Sequence, residues 1–398
     1  MTTSFWWQRD DLRYHEGHLF LGSHNLFQFA QQVGTPAFVY HGARIQANLG
    51  RLHAALTEQG LNFQIYYAMK ANRFVPILTY LKMLGLCGAD VSSPGELDLA
   101  LQAGFRAHEI SHTGTSVSDE DLDYLQLQPD VWINCDSLSV IKRLGERCPG
   151  RSIGLRLNPQ IGLGYNPNLH YAGAHVTKVG IYQEQFHDAL TLAHRYGLTV
   201  KTLHLHAGSG YLTDQLENLD KILTICEWFL DQVPTVTMLN LGGGLGVRQT
   251  ASDKPLDLAA WSRIIAKHLK LRGLKLGLEP GDYIMKDAGV LLLKVNTVEE
   301  KHGVTFVGVN GGMNLQNEPA YYQLPLEVVP LQYNDTSARQ TVTIAGNINE
   351  PIDLFAQQIS LPPLAESDFI GLLNVGGYGS STSSNHSMRG KFGEYLLL

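Results

Sequence analysis

The chain has 398 residues, 44% of them hydrophobic and 17% charged, with a formal net charge of −7. That is the composition of a soluble globular protein, long enough for a large barrel and a second unit. The acidic balance excludes a general attraction to nucleic acid or an anionic membrane. No apolar run is long enough to span a bilayer, and "MTTSFWWQRDDLRYHEG" lacks the basic-then-apolar order of a secretory signal. The four cysteines, Cys87, Cys135, Cys148 and Cys226, have no metal-like spacing and are expected as reduced thiols in a cytoplasmic protein.

The first predicted strand is "FQIYYAMK" (63–70), bulky and apolar until it ends on Lys70. A lysine there can snorkel to water. It can also be a reactive amine, its pKa lowered by burial, able to form a Schiff base. A helix-like "FVPILTYLKMLG" (74–85) follows. Further strands are predicted at 86–93, 109–114, 131–136, 152–159, 202–210, 237–244 and 274–281. Helical patterns such as "GELDLALQAG", "LSVIKRLGER", "QFHDALTLAHRYG" and "LDLAAWSRIIAKHLKLRG" lie between them. Eight strands alternating with helices point to an α/β fold, a (β/α)8 TIM-like barrel. An open doubly wound sheet is the alternative, but its glycine loop should follow the first strand, and "GGGLG" (242–246) follows the seventh.

The strand ends carry Lys70, Asp90, Asn158, His206, the glycines 242–244 and Glu279. In a barrel these ends meet on one face. Taken singly, His206 reads as a core histidine, Asp90 as a cap and Glu279 as half of an ion pair. Together with a glycine-rich turn they are hard to explain as packing. Backbone amides of such a turn bind phosphate, and Ser209 of "HAGSG" adds a hydroxyl. The histidines of "HLH" (204–206) share one face of a strand, but no motif completes a metal site, so no metal is expected. A lysine, a phosphate cradle, an acid and an imidazole suggest pyridoxal 5'-phosphate. Lys70 would form the Schiff base, Glu279 would bond the pyridinium nitrogen, and His206 would stack on the ring.

The segments "YYAMKAN", "GADVSSPGEL", "HLHAGSG", "LNLGGGLG", "EPG" and "GGYGSSTSSN" resemble the fold-type III pyridoxal-phosphate decarboxylases, the diaminopimelate/ornithine decarboxylase group. The resemblance runs from "GTPAFVY" (34–40) to "SSNHS" (383–387). It implies an alanine racemase-like barrel at 37–285 and a β-rich C-terminal domain at 286–398, which the N-terminal segment 1–36 joins. It also implies a homodimer with shared active sites. Carried onto matching positions, Lys70 binds the cofactor and His206 stacks on it. Ser209, Gly243, Gly244, Gly281 and Tyr378 surround the phosphate, Glu279 meets the pyridine nitrogen, and Asp90 lies near Lys70. The partner subunit would supply the loop "NINEPID" (347–353), with Asn349, Glu350 and Asp353 near the substrate.

Three departures qualify the resemblance. The family's EPGR reads EPGD here, placing Asp282 where an arginine is usual. The family's Arg-Pro is Glu318-Pro319, ahead of Tyr322. The proton-donating cysteine of the family's CES motif is Asn349. Acids in place of arginines would repel a distal carboxylate. The expectation is therefore a decarboxylase of an amino acid or amino-acid-derived intermediate, not a standard diaminopimelate decarboxylase, with siderophore or other natural-product biosynthesis among the settings. Lys70, Tyr378 or water would protonate the product. Racemisation is the second reading, against which Glu279 at the ring nitrogen argues. A non-catalytic cofactor-binding homologue is the third.

Overall fold

The computed structural model describes residues 5–173, 175–334 and 338–398. The chain divides into two compact units. One comprises 46–247 and 254–284; the other contains the N-terminal stretch through Ile45, Arg248–Asp253 and Met285–Leu398.

The first unit is a closed barrel of eight parallel strands: β1 (Phe63–Ala68), β2 (Gly88–Val91), β3 (Ile110–His112), β4 (Trp132–Cys135), β5 (Ser152–Leu157), β6 (Thr199–Leu205), β7 (Met238–Asn240) and β8 (Lys275–Leu278). They pair in chain order, and β8 closes on β1 with Leu276 opposite Phe63. A helix follows each of the first seven strands. Leu138–Arg147 shows why: Val140, Ile141 and Leu144 form one buried stripe, and the Ser137 hydroxyl caps the start by accepting from Val140 N.

The strands stop short of the apolar runs that predict them, because the glycine loops begin there. Gly242 and Gly244 hold φ of +65° and +95°, a region that side chains disfavour. The loops after β6 and β7 then join backbone to backbone, as Gly210 N and Tyr211 N both donate to Gly244 O, at 2.8 and 2.9 Å. At β1 the strand ends with Ala68, whose N donates to Pro280 O, and Met69–Ala71 form a 3-10 turn. Lys70 is therefore presented by a turn beyond the strand, not by the strand's last residue.

Glycines also shape the barrel interior. A Cβ on Gly277 of β8 would lie 2.8 Å from the Asn240 Cβ, and one on Gly154 of β5 would lie 2.1 Å from Asn134 Oδ1. Bare positions on two strands thus make room for amide side chains on their neighbours, β7 and β4.

The second unit is mostly sheet. The 13-residue strand Gly289–Lys301 organises it. Its first half pairs with Phe369–Leu373 on one side and Ala37–His41 on the other, and its second half with Val304–Val309. Gln340–Ala345 and Leu354–Leu361 extend the sheet past Val304–Val309. The strand Ala37–His41 lies here and not in the barrel, where a boundary at residue 37 would put it. All five of its residues are buried, and the sheet pairs both its edges, with Gly289–Lys301 and with Gly393–Leu397. The N-terminal hairpin Leu12–His15 and His18–Leu21 buries Leu12, Leu19 and Leu21 in one core with Val290, Leu292 and Leu331.

Crowding at Gly277 makes a definite expectation. Gly277→Val should destabilise the protein by about 1–3 kcal/mol, the usual cost of overpacking. Gly50→Ala, on the helix Gly42–Glu58 with open space around the added carbon, should stabilise it by about 0.5–1 kcal/mol. Urea unfolding of the two variants checks both signs.

Candidate active site

The site is built around a buried carboxylate. Glu279 follows β8 and is held from three strands. Its Oε1 accepts from Ser111 Oγ of β3 (3.1 Å) and from Asn240 Nδ2 of β7 (2.7 Å), while Oε2 lies 2.9 Å from His204 Nε2 of β6. Asn134 of β4 in turn donates to Ser111 Oγ. Burial alone would push the Glu279 pKa up. His204, Lys70 and Asn240 outweigh it and bring the carboxyl down to about 2. Glu279 is therefore a fixed anion beneath the barrel mouth.

Lys70 Nζ lies 3.5 Å from Asp90 Oδ2. The Asp90 side chain is 1% exposed, whereas that of Lys70 is 42% exposed, as befits an amine at an open mouth. Burial lowers the lysine pKa, but Asp90 and then Glu279 raise it more, and the net shift is upward. The lowered pKa expected for a reactive lysine is thus reversed in the protein by itself, because two carboxylates face the ammonium. Asp90 is pushed well above the usual carboxylate range by burial and by Glu279, against the pull of Lys70. His206 is pushed well below the usual histidine range by burial, then by Lys70 and Arg156, so its imidazole is neutral. Its ring sits 4.8 Å from that of Tyr171. Arg156 of β5 is buried, donates to Thr115 Oγ1 and lies in the field of Asp136.

Ser209, Gly243, Gly244 and Gly281 stand on the loops after β6, β7 and β8, the same end of the barrel. A Cβ on Gly243 would fall 2.4 Å from Glu279 O, and one on Gly244 would fall 2.3 Å from Gly208 O. These glycines serve close backbone approach as well as any ligand. Asp282 is buried at the start of the short helix Asp282–Met285. Among the described residues no group of three or more His, Cys, Asp or Glu is placed to hold a metal.

The remaining candidates belong to the second unit. Tyr378 has a left-handed φ of +62°, and its carbonyl accepts from the Thr382 hydroxyl. Tyr322 is partly exposed at the end of the helix Glu318–Tyr322, and Asn349 and Glu350 are exposed at a loop tip. Two expectations need correction. Glu318 is not a free acid that repels anions: it is buried and accepts from Lys286 Nζ (2.6 Å) and Gln316 Nε2 (2.9 Å). The lysine is fully enclosed and needs that counter-charge. Asp353 does not project from the loop 347–353 toward a substrate. Its carboxylate turns into its own loop and accepts from Met313 N and Ile348 N, both at 2.6 Å. Gly312 and Gly346 leave the space it fills.

Sequence reasoning gave no part in the site to the three donors to Glu279, Ser111, His204 and Asn240, or to Asn134, which donates to Ser111. Each is a polar residue within a short strand, buried on the barrel side, and that interruption of the apolar pattern is the signal that marks them.

A carbonyl cofactor needs an amine to carry it, and a pyridine ring that is to be protonated needs an anion fixed beside its nitrogen. The barrel supplies both. Asp90 Oδ1 and His206 Nδ1, buried at the mouth, have no hydrogen-bond partner among the described residues, which fits a polar ligand there. The fold and site define a pyridoxal-phosphate enzyme of the barrel class. Residues 43–286 match the family described as pyridoxal-dependent decarboxylase, pyridoxal binding domain. The chain is 32% identical to the diaminopimelate decarboxylase of Methanothermobacter thermautotrophicus, over 96% of its length and 91% of that protein. It is 32% identical to that of Pseudomonas fluorescens, over 98% and 94%. The structure of M. jannaschii diaminopimelate decarboxylase in complex with L-lysine overlays it with a TM-score of 0.87 at 27% identity, covering 98% of this chain and 93% of that one. The Helicobacter pylori enzyme complexed with L-lysine gives 0.85 at 26% identity, with 94% of each chain covered. The chain belongs to the fold-type III pyridoxal-dependent decarboxylases, the diaminopimelate/ornithine decarboxylase family. It is a carboxy-lyase whose cofactor is pyridoxal 5'-phosphate.

The Lys286–Glu318 pair can be tested apart from catalysis. Glu318→Ala should cost about 3–5 kcal/mol, because it removes the carboxylate that faces a buried ammonium. The double variant Lys286→Met/Glu318→Leu should recover most of that loss in denaturant unfolding.

Proposed function

We propose that this chain removes the α-carboxylate of an amino acid whose far end is not a free carboxylate, with Lys70 as the cofactor-bearing lysine. The cofactor, when bound, supplies an electron-withdrawing ring that accepts the pair released as CO2 departs. Glu279, anionic and held by three donors, bonds the ring nitrogen. That preference for a strong electron sink favours decarboxylation over racemisation. His206 presents a neutral face to the ring, and Ser209, Gly243, Gly244 and Gly281 hold the phosphate. Lys70 Nζ, kept protonated beside Asp90 and Glu279, holds the proton that the substrate carbon needs, a role that Asn349, standing in place of the family's cysteine, cannot fill.

The observation that carries the substrate reading is Asp282. It is an acid where family members usually have an arginine, and it is buried directly after the Glu279-Pro280-Gly281 turn. Glu318, neutralised by Lys286, no longer adds to the repulsion. A distal ammonium, or a large neutral extension of the kind built into siderophores and related natural products, suits such a site better than a carboxylate. The relatives named above make diaminopimelate the substrate to compare against. We further propose a homodimer with shared sites, in which the loop tip at Asn349 and Glu350 is contributed across the interface. A cytoplasmic location suits the four free cysteines.

Two close carboxylates repel by about 1–4 kcal/mol, so selectivity should be about fivefold or more. Values of kcat/KM are to be compared for meso-diaminopimelate, its distal monoamide, lysine and ornithine. The monoamide or a cationic substrate should exceed meso-diaminopimelate, Asp282→Arg should narrow the gap, and Lys70→Ala should abolish turnover. Efficient use of meso-diaminopimelate, unmoved by Asp282→Arg, defeats the substrate reading. Sedimentation velocity at assay concentration should show a dimer, and an active monomer would overturn the shared site.

A further inference from the structure

Of the two histidines in "HLH", the proposed chemistry uses His206 and leaves His204 without a part. His204 is buried on β6, opposite Arg156 of β5 and Asn240 of β7. Its Nε2 lies 2.9 Å from Glu279 Oε2, and its Nδ1 is buried with no hydrogen-bond partner among the described residues. An ionised carboxylate only accepts, so Nε2 must carry the hydrogen of this bond.

The acceptor positions of Glu279 can be counted. Each carboxylate oxygen offers about two lone-pair sites. Those of Oε1 are taken by Ser111 and Asn240. On Oε2, His204 is the sole donor among the described residues. One acceptor position therefore remains, and it is on Oε2. We propose that His204 is a positioning residue: by occupying one lone pair of Oε2 it fixes the plane of the Glu279 carboxylate and reserves the last acceptor position for the cofactor's ring nitrogen. This inference rests on the reading that Glu279 faces that nitrogen.

The electrostatics agree. His204 is the foremost influence that keeps Glu279 ionised against burial. The other charged or titratable groups acting on the pair are Lys70 after β1, Asp90 of β2, Asp136 after β4, Arg156 of β5, His206 after β6 and Tyr66 of β1. Burial opposes ionisation of Glu279, so losing the His204 donor would leave the carboxyl closer to protonation. A protonated Glu279 cannot hold a proton on the ring nitrogen.

The test compares His204→Leu with His204→Gln, since glutamine keeps an N–H donor at a similar reach. Two readouts besides activity are used: the dissociation constant for pyridoxal 5'-phosphate, by equilibrium dialysis, and the pH titration of the bound cofactor's absorbance. A hydrogen bond to a charged group is worth enough that His204→Leu should weaken cofactor binding about tenfold and move the titration by about one pH unit. His204→Gln should restore both to within about twofold of the wild type. A His204→Leu protein with unchanged titration and affinity overturns the proposal, and so does a His204→Gln protein as impaired as the leucine variant. If His204→Leu does not fold, nitrogen NMR of the histidine-labelled wild-type apoprotein decides instead: the Nε2–H tautomer at His204 supports the proposal and the Nδ1–H tautomer overturns it. Glu279→Gln is the control that separates the two layers. Should it leave the cofactor titration unchanged, the reading of Glu279 falls and this inference with it. Should it alter the titration while His204→Leu does not, only the role of His204 falls.

Discussion

A carboxylate in the middle of a protein stays ionised only if the surrounding backbone and side chains solvate it as water would. Glu279 sets that demand in this barrel. Meeting it takes a hydroxyl from β3 and an amide from β7 on one oxygen, and an imidazole from β6 on the other. These donors converge because the strands form a closed ring and each contributes an inward side chain. Glycines follow from the same demand: Gly277 leaves the space that Asn240 fills, and Gly154 the space that Asn134 fills. Strand register, bare positions on neighbouring strands and the charge at the mouth are thus parts of one solution.

That charge governs the groups above it. With Asp90 it overrides the effect of burial on Lys70, so the free amine rests as an ammonium. Attack on a carbonyl needs the neutral amine. Neutralising one of the facing carboxylates, or directing Glu279 toward a cationic ring, removes part of what keeps the proton on. The same field suits the amine to the opposite task later, when a carbon must be protonated. His206 responds in the other direction, its neutrality set by burial and by its cationic neighbours Lys70 and Arg156.

Charges outside the barrel teach a different lesson. Glu318 and Asp353 look like ligand groups when counted along the chain, yet both are occupied within their own unit. Glu318 balances a lysine that has no access to water, and Asp353 satisfies two backbone amides of its own loop. Pairing of this kind cancels most of the field that such an acid would exert beyond its partner.

Much of the architecture could be read from the chain alone. The alternation of short apolar strands with amphipathic helices, with the glycine loop after the seventh strand, favours a (β/α)8 arrangement over an open doubly wound sheet, whose glycine loop should follow the first. The order of Lys70, Asp90, His206, the glycines and Glu279 along those strands places them on one rim, because parallel strands all end on the same side. The identity of the chemistry followed from residue types. Tertiary structure decided what those residues experience. It moved Lys70 from a strand to a turn, placed Ala37–His41 in the second sheet, reversed the expected shift of the lysine and paired off Glu318. It also brought in Ser111, His204 and Asn240, which lie 168, 75 and 39 residues from Glu279 along the chain. Local sequence fixes periodicity and conformational freedom, which are properties of neighbours in the chain. Ionisation and hydrogen bonding depend on neighbours in space, and in this barrel those come from strands far apart in sequence.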